Sequence, residues 1–435
     1  MWYNRKVSFG VILGGLSIII SGLSGLIVYP LLLQSLTKEI AGLWLFFNSF
    51  SAILNLGQAG LGPIIVRRSA AALILRNDLI TAKFIDVVKK TFTIVVWIVI
   101  VICVLLYFFY IKKVITSNSE LYRDGLVSWL LFSISNALTI YSSRKFYVMN
   151  GFGEVGWDKM NQILISVFII VGYYFSLHYG FGLVGLSIVF LMSSLLNVIS
   201  SNLLFQRVVA GTDVSGINLK SSWNDTFVLF KEGANILILN VMGIIIMNKD
   251  IFLVERFLGL SVVPSFNALS RIQGIVIMVS SLFPQMLFPF VSQAFTNKDF
   301  VQTKKYYLQG VLMSVLVAIF LSISLLVFAN SFFAAWLGPD NFLGNKILFL
   351  LLVLAVIYVH HAAHASAVIS TGENSFVWPA VLNGVLSLPL SYVGIKFFGI
   401  EGMILGNLVA TILPSIYVVN FSVRYFNNLL KLKIN

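Results

Sequence analysis

The chain has 435 residues, of which 59% are hydrophobic and only 10% are charged, and its mean hydropathy is +0.96. Soluble domains carry about 25% charged residues, so a water-soluble fold of this length is excluded. A net charge of +13 would suggest nucleic-acid binding in a soluble protein. Here the lysines and arginines lie mostly in short connections between apolar runs. They are interpreted as topology determinants and contacts with anionic membrane lipids, and no nucleic-acid partner is expected.

Apolar runs of about 20 residues follow one another along the chain, without the two-residue alternation of barrel strands. They predict an all-α polytopic membrane protein of about twelve transmembrane helices. The first run follows a basic N-terminus and no small-residue cleavage site ends it, so it is interpreted as a spanning helix rather than a removed signal peptide. In chain order, the helices are expected at residues 9–33, 40–66, 91–111, 125–143, 162–178, 183–205, 233–258, 262–290, 308–330, 346–370, 377–398 and 400–423.

The positive charges are distributed unevenly between the two sides of this predicted topology. With the N-terminus inside, 20 lysines and arginines fall on the inner side and 8, including Lys249, fall on the outer side. The excess predicts that both termini are cytoplasmic. The chain is expected to form an N-terminal six-helix lobe (1–206), a cytoplasmic linker (207–226), and a C-terminal six-helix lobe with a short basic tail (227–435).

Two similar turns lie half a chain apart. Residues 181–186 (FGLVGL) join the fifth and sixth predicted helices, and residues 398–403 (FGIEGM) join the eleventh and twelfth, at an offset of 217 residues. Six helices per repeat is an even number, so both halves enter the membrane from the same face. The two lobes are therefore expected to be related by a pseudo-two-fold axis along the membrane normal, with the substrate path between them. This pattern favours a two-lobed transporter over a receptor or a membrane enzyme.

Several motifs of soluble enzymes are excluded by their context. Residues 180–185 fit the G-x-G-x-x-G pattern, but they lie between two membrane helices with no preceding strand. The sequence contains no Walker A motif, so the chain carries no P-loop ATPase of its own. Cys103 is the one cysteine, which excludes an intrachain disulfide or a cysteine metal site. We expect no catalytic residue, no metal, and no cofactor beyond a coupling ion, H+ or Na+.

Two opposite charges lie inside predicted membrane helices, where an ion is costly and usually faces a cavity or the bundle interior. Asp250 lies about eight residues before the end of the seventh helix, and Arg271 lies about nine to eleven residues into the eighth. Both would lie roughly 12–16 Å from the same outer end. One interpretation is a cavity ion pair, in which Asp250 is protonatable and Arg271 meets an anion. The other is a permanent clamp between two helices.

Three histidines lie together on the tenth predicted helix. His360 and His364 share one face because they are four residues apart, and His361 lies between them. No carboxylate lies beside them to complete a metal site. Imidazole titrates near neutral pH, so His360 and His364 are candidates for proton handling in ion coupling or gating. Polar packing between helices is the alternative interpretation.

Short segments in order along the chain resemble those of the Wzx-type O-antigen and polysaccharide-unit flippases. These form the polysaccharide transporter branch of the multidrug/oligosaccharidyl-lipid/polysaccharide flippase superfamily, which also contains the multidrug and toxic compound exporters. Where the family often has an acidic residue, this chain has Asn55, so no carboxylate is available there for coupling. The similar segments are 28–44 (VYPLLLQSLTKEIAGLW), 55–61 (NLGQAGL), 67–68 (RR), 247–250 (MNKD), 257–259 (FLG), 270–271 (SR), 283–284 (FP), 289 (P), 297–299 (NKD) and 335–338 (AWLG).

The resemblance implies a lipid-linked oligosaccharide flippase, not an enzyme, in the bacterial cytoplasmic (inner) membrane. Its cargo would be an undecaprenyl-pyrophosphate-linked O-antigen or other polysaccharide repeat unit, moved to the outer leaflet with ion-gradient coupling. A polysaccharide polymerase and a chain-length regulator are the implied protein partners. A dianionic pyrophosphate favours a cationic path, for which Arg271, Arg144, Lys145 and Arg67 are the candidates. Asp250, His360, His364 and Asn55 are the candidates for ion coupling or gating.

Three other classes were weighed against this interpretation. A multidrug exporter of the same superfamily would give drug efflux with no effect on surface glycan. A major-facilitator carrier also has twelve helices and parallel halves. Its Asp-Arg and Gly-Arg signature is absent from the connection 67–76. A membrane-embedded polysaccharide polymerase or glycosyltransferase would carry a large outer loop or an acidic catalytic motif, and the outer connections here are short.

Overall fold

Long apolar runs fold into helices throughout the part of the chain that the computed structural model describes, which is residues 2–74, 78–116, 121–210, 222–373 and 375–431. These residues contain helices, turns and bends, and no strand. They divide into two compact units, Met1–Val241 and Met242–Asn435, called unit 1 and unit 2 below. The predicted boundaries of the two lobes stay a prediction. Residues 211–221 of the predicted linker lie outside the described residues.

In unit 1, α1 packs against α8, and α7 packs against α9. A short π-helix, Tyr107–Ile111, joins α5 to α6. The helices of this unit are α1 (Trp2–Ser35), α2 (Lys38–Leu54), α3 (Leu56–Ala59), α4 (Gly62–Ile74), α5 (Asp78–Leu106), α6 (Lys112–Thr116), α7 (Tyr122–Gly151), α8 (Val155–His178) and α9 (Gly182–Ala210).

In unit 2, α11 packs against α12, and α14 packs against α15. The helix α10 (Trp223–Leu258) begins in unit 1 and ends in unit 2. Its 36 residues correspond to about 54 Å, well beyond the roughly 30 Å of bilayer hydrocarbon. The other helices of unit 2 are α11 (Val263–Thr296), α12 (Phe300–Val327), α13 (Ala329–Leu337), a 3₁₀ turn at Pro339–Asn341, α14 (Asn345–Ile369) and α15 (Val377–Lys431).

Nine helical runs in the described residues are long and apolar enough to cross a membrane. They include nearly all the predicted helices, and α15 holds both the eleventh and the twelfth. The predicted second and seventh helices are not among the nine. The protein is therefore a multi-span helical membrane protein, while the count of twelve and the cytoplasmic position of both termini stay predictions.

The prediction of one continuous helix over 40–66 is wrong. The structure has α2 ending at Leu54, the single turn α3, and α4 beginning at Gly62. Three glycines within six residues lower the helix propensity here, at about 1 kcal/mol each relative to alanine. A Cβ added to Gly60 would lie 2.9 Å from the backbone oxygen of Gly233, so this glycine is required where the start of α10 passes close by.

The two turns identified in the sequence both have a glycine with positive φ at the same position of the repeat. Gly182 has φ of 56° and Gly399, 217 residues later, has φ of 64°, a left-handed conformation that glycine adopts without steric cost. Gly399 also has ψ of −150°, which divides α15 into two halves that fold back on each other. A Cβ added to Gly394 would lie only 2.1 Å from the backbone oxygen of Gly402, in the other half. The repeated turn supports the internal repeat, while the axis relating the halves stays a prediction.

Candidate functional site

A buried ion pair lies within the part of α10 that belongs to unit 2. The Nζ of Lys249 lies 3.1 Å from Oδ1 of Asp250, and the two side chains are only 5% and 15% exposed. An ammonium or carboxylate removed from water costs several kcal/mol unless a partner of opposite charge compensates it. Lys249 also donates a hydrogen bond to the backbone oxygen of Ile246, one turn earlier, at 3.3 Å. The ammonium of Lys249 and the carboxylate of Asp250 therefore each compensate the buried charge of the other.

The two halves of α15 supply the neutral residues that are hydrogen-bonded around this ion pair. Ser391 and Asn407 each lie eight residues from Gly399, so the fold-back at that glycine brings them face to face. The hydroxyl of Ser391 donates to Oδ1 of Asn407 at 2.8 Å, and Lys249 donates to the same oxygen. The amide nitrogen of Asn407 donates to Oδ2 of Asp250 at 2.7 Å. Lys249, Asp250, Asn407 and Ser391 thus form one connected network, called the buried charge network below.

A cavity of about 100 Å³ borders this network. Asp250 and Asn407 are in its wall, whereas Lys249 is not. The carboxylate is thus the charged group of the network that faces open space, and the ammonium lies behind it. The other lining residues come from α10, α11, α14 and α15: Ile246, Met247, Ile251, Phe266, Ser270, Gln273, Gly274, Ile277, Leu354, Tyr358 and Thr411.

Lys249 is counted with the charges of the outer side in the predicted topology, although it falls within the predicted seventh helix, 233–258. The structure places it within α10 and buries it, so it is not one of the outer charges. Arg271 lies in α11 next to Ser270, which lines the cavity. The pairing of Arg271 with Asp250 stays a prediction, because the ion pair that defines the surroundings of Asp250 is the one with Lys249.

The three histidines of α14 form a second polar cluster in unit 2. His364 and His360 lie with their Nε2 atoms 3.2 Å apart, as their spacing predicts. The hydroxyl of Tyr307, from α12, lies 2.8 Å from Nδ1 of His364, and Nδ1 of His361 lies 2.9 Å from Oγ of Ser415. If Tyr307 donates to His364, the Nε2 of His364 carries a proton and donates to His360. Tyr307, His364 and His360 thus form one hydrogen-bonded chain between α12 and α14, and its role in coupling stays a prediction.

The predicted cations of unit 1 lie in different environments. Arg144 is buried, with its guanidinium carbon 3.5 Å from the ring centroid of Tyr141 and a 2.6 Å hydrogen bond to the backbone oxygen of that residue. The Nζ of Lys145 lies 5.9 Å from the ring of Phe205. Arg67 has a side chain that is 75% exposed and lies 3.7 Å from Glu232. Arg144 is therefore the desolvated cation among them, held by its own helix and an aromatic ring.

Charged pairs hold the start of α10 within unit 1. Arg68 donates to Glu232, the carboxylate that Arg67 also approaches. Lys83 lies 3.0 Å from Asp225. The hydrogen bonds from Lys83 and from the backbone of Ser222 hold the pKa of the Asp225 carboxyl below its ordinary value. These contacts are partly solvated, so each contributes little to stability by itself.

Asn55 ends α2 and makes a neutral polar contact. Its Oδ1 accepts a hydrogen bond from Nε2 of Gln58 at 2.6 Å, and Gln58 in turn accepts from the hydroxyl of Ser143 in α7. An amide at this position can fix the break between α2 and α3 without a charge. The coupling role considered for Asn55 stays a prediction.

The described residues hold no group of three or more histidine, cysteine, aspartate or glutamate side chains that is placed to bind a metal ion. The two clusters of unit 2 bring charged and titratable side chains within hydrogen-bond distance of one another. Lys249, Asn407, Ser391 and Tyr307 were missed in the sequence. The adjacency of Lys249 to Asp250 in an apolar run was the available signal, whereas the other three are brought in by folding.

No protein-family model matches the sequence, and no curated protein matches it. Solved structures do match. An inward-facing multidrug resistance MATE family transporter of the MOP superfamily aligns with a TM-score of 0.76 at 14% identity, over 99% of each chain. Lipid II flippase MurJ in an inward closed conformation aligns with a TM-score of 0.72 at 14% identity, over 95% of this chain and 87% of MurJ. An outward-facing MATE transporter aligns with a TM-score of 0.63 at 15% identity, over 97% of this chain and 96% of that one.

These likenesses establish the fold. The protein has the helical membrane architecture that MATE transporters share with lipid II flippase MurJ. The helical membrane fold expected from the resemblance is thereby confirmed, while the superfamily and its polysaccharide branch stay predictions.

Proposed function

We propose that this protein is a lipid-linked oligosaccharide flippase. It translocates an undecaprenyl-pyrophosphate-linked O-antigen or other polysaccharide repeat unit from the cytoplasmic to the outer leaflet of the bacterial cytoplasmic membrane. It performs no covalent chemistry, and an ion gradient drives the transport. A polysaccharide polymerase and a chain-length regulator would act on the delivered unit.

The observation that carries the proposal is the fold. It is shared along 95% of this chain with a protein described as a lipid II flippase. The segments that resemble polysaccharide-unit flippases occur in order along the same chain and support that branch. A fold can host more than one function, so the assignment to a cargo depends on the site.

Buried positive charge supports an anionic cargo. Arg144 in unit 1 is only 9% exposed. A desolvated cation attracts a pyrophosphate more strongly than an exposed one, because the effective dielectric constant is lower. The same cation would repel a positively charged cargo.

A multidrug exporter is the second candidate, and the alignment with a MATE transporter at a TM-score of 0.76 favours it. The two candidates differ in what disappears when the gene is deleted. A flippase deletion abolishes a surface polysaccharide, whereas an exporter deletion lowers drug resistance.

Deletion of the gene, with and without a wild-type copy restored on a plasmid, tests the proposal. We expect loss of a surface glycan, accumulation of its lipid-linked precursor on the inner leaflet, and unchanged drug resistance. Normal glycan in a strain with no second flippase would refute the proposal. Lost drug resistance with normal glycan would establish the exporter.

Arg271 is proposed to hold the anionic head of the cargo, with Asp250 tuning or releasing it. Arg271→Ala should then cut transport while the protein stays inserted and abundant. Lysine at this position should rescue only partly, because it offers a point charge rather than a planar fork. If Arg271 serves only as a clamp, Arg271→Ala should lower the yield of folded protein and transport together.

A further inference from the structure

The buried ammonium of Lys249 is surrounded by oxygen atoms of three kinds. Its Nζ lies 3.1 Å from the carboxylate Oδ1 of Asp250 and 3.3 Å from the backbone oxygen of Ile246, and it donates a hydrogen bond to the amide Oδ1 of Asn407. An ammonium has three protons to donate and accepts none. One charged and two neutral oxygens thus converge on a single point, and a positive charge lies at that point.

The orientation of the Asn407 amide matches a positive charge at this point. Its Oδ1 accepts from Lys249 and from Ser391, and its Nδ2 donates to Asp250. A reversed amide would present its own N–H groups to the ammonium and its oxygen to the carboxylate. The side chain of Asn407 is 5% exposed, so such mismatches would not be relieved by water.

Carboxylate and carbonyl oxygens are also the ligands that hard cations take, including sodium in membrane-embedded sites. We infer that Lys249 is a built-in cation: its ammonium fills an oxygen-lined alkali-cation site in unit 2, so the native protein binds no sodium or lithium ion there. This inference rests on the proposed transport function only for its consequence, which is that this site does not provide sodium coupling.

Removal of the lysine side chain should open the site. Lys249→Ala leaves the oxygens of Asp250, Asn407 and Ile246 facing a space of ammonium size, with an uncompensated carboxylate. Purified protein in detergent would be heated in sodium chloride or lithium chloride and, as the reference, in N-methyl-D-glucamine chloride at equal ionic strength. For Lys249→Ala we expect sodium or lithium to raise the apparent Tm by about 2 °C or more, through binding to the folded state.

Three comparisons define the outcome. The wild-type protein should show the same Tm in all three salts, and so should the double variant Lys249→Ala with Asp250→Asn. Lys396→Ala, which removes an exposed lysine of the same unit, is the matched control and should behave as wild type. A sodium-specific rise in the wild type, or no rise in a folded Lys249→Ala protein, would overturn the inference.

If the alanine variant does not fold, Lys249→Ser takes its place in the test. Serine adds a hydroxyl oxygen beside the carboxylate, and the same rise in apparent Tm with sodium or lithium is expected. The wild-type measurement needs no variant at all. None of these measurements involves a cargo, so a negative result would refute the built-in cation and leave the proposed flippase function to the deletion experiment.

Discussion

The stability of unit 2 should be sensitive to the loss of either partner of the ion pair between Lys249 and Asp250. At 3.1 Å and an effective dielectric constant of about 20, the attraction is on the order of 5 kcal/mol before desolvation is subtracted. Asp250→Asn removes one partner and leaves an ammonium whose side chain is 5% exposed. Breaking a buried pair in this way costs about 3–5 kcal/mol. Removing both charges, as Lys249→Met with Asp250→Asn, should recover most of that loss because no buried charge remains.

The assay is thermal unfolding of the detergent-purified protein, read as an apparent Tm because membrane proteins often unfold irreversibly. We expect Asp250→Asn to lower the Tm on the order of 5 °C. Glu401→Gln is the matched control, because it removes the carboxylate partner of Lys346, whose side chain is 73% exposed, and should change stability by less than about 1 kcal/mol. A Tm for Asp250→Asn equal to that of Glu401→Gln would refute the assignment of a buried, interdependent pair.

Three further outcomes follow from close packing, salt bridges and hydrogen bonding. Gly394→Ala should prevent stable folding, because its added Cβ would meet a backbone oxygen, whereas Gly243→Ala, with open space around it, should be tolerated when yields of folded protein are compared. Arg68→Ala should lower the Tm more than Arg67→Ala, because the Arg68 side chain is 35% exposed and the Arg67 side chain 75%. Tyr307→Phe should cost about 0.5–1.5 kcal/mol by denaturant unfolding, because a buried histidine loses its partner; an unchanged midpoint would contradict the hydrogen bond.

The helices could largely be predicted from the sequence, because an apolar run long enough to cross a bilayer has few alternatives to a helix. The glycine turns were also predictable, since Gly182 and Gly399 occur in similar segments at a fixed offset. The break at Asn55 was missed, because glycines inside a hydrophobic run look like close helix packing until the neighbouring segment is known.

The buried charge network could be predicted only in part. Asp250 was identified because a carboxylate is costly in a membrane helix. Asn407, which donates to Asp250, and Ser391, which donates to Asn407, are neutral residues common in membrane helices. They come together only through the fold-back of α15. Lys249 lies within the predicted seventh helix, but lysines were interpreted as topology determinants, so its pairing with the adjacent Asp250 was not predicted.

Translocation in proteoliposomes tests the central claim most directly. The purified protein would be reconstituted with an undecaprenyl-pyrophosphate-linked oligosaccharide, and a membrane-impermeant reagent would modify the sugars on the outer leaflet. We expect an ion gradient to increase the fraction of modified lipid with time in vesicles containing the wild-type protein, and not in vesicles containing no protein. Equal modification in both kinds of vesicle, with the protein shown to be folded, would contradict the account.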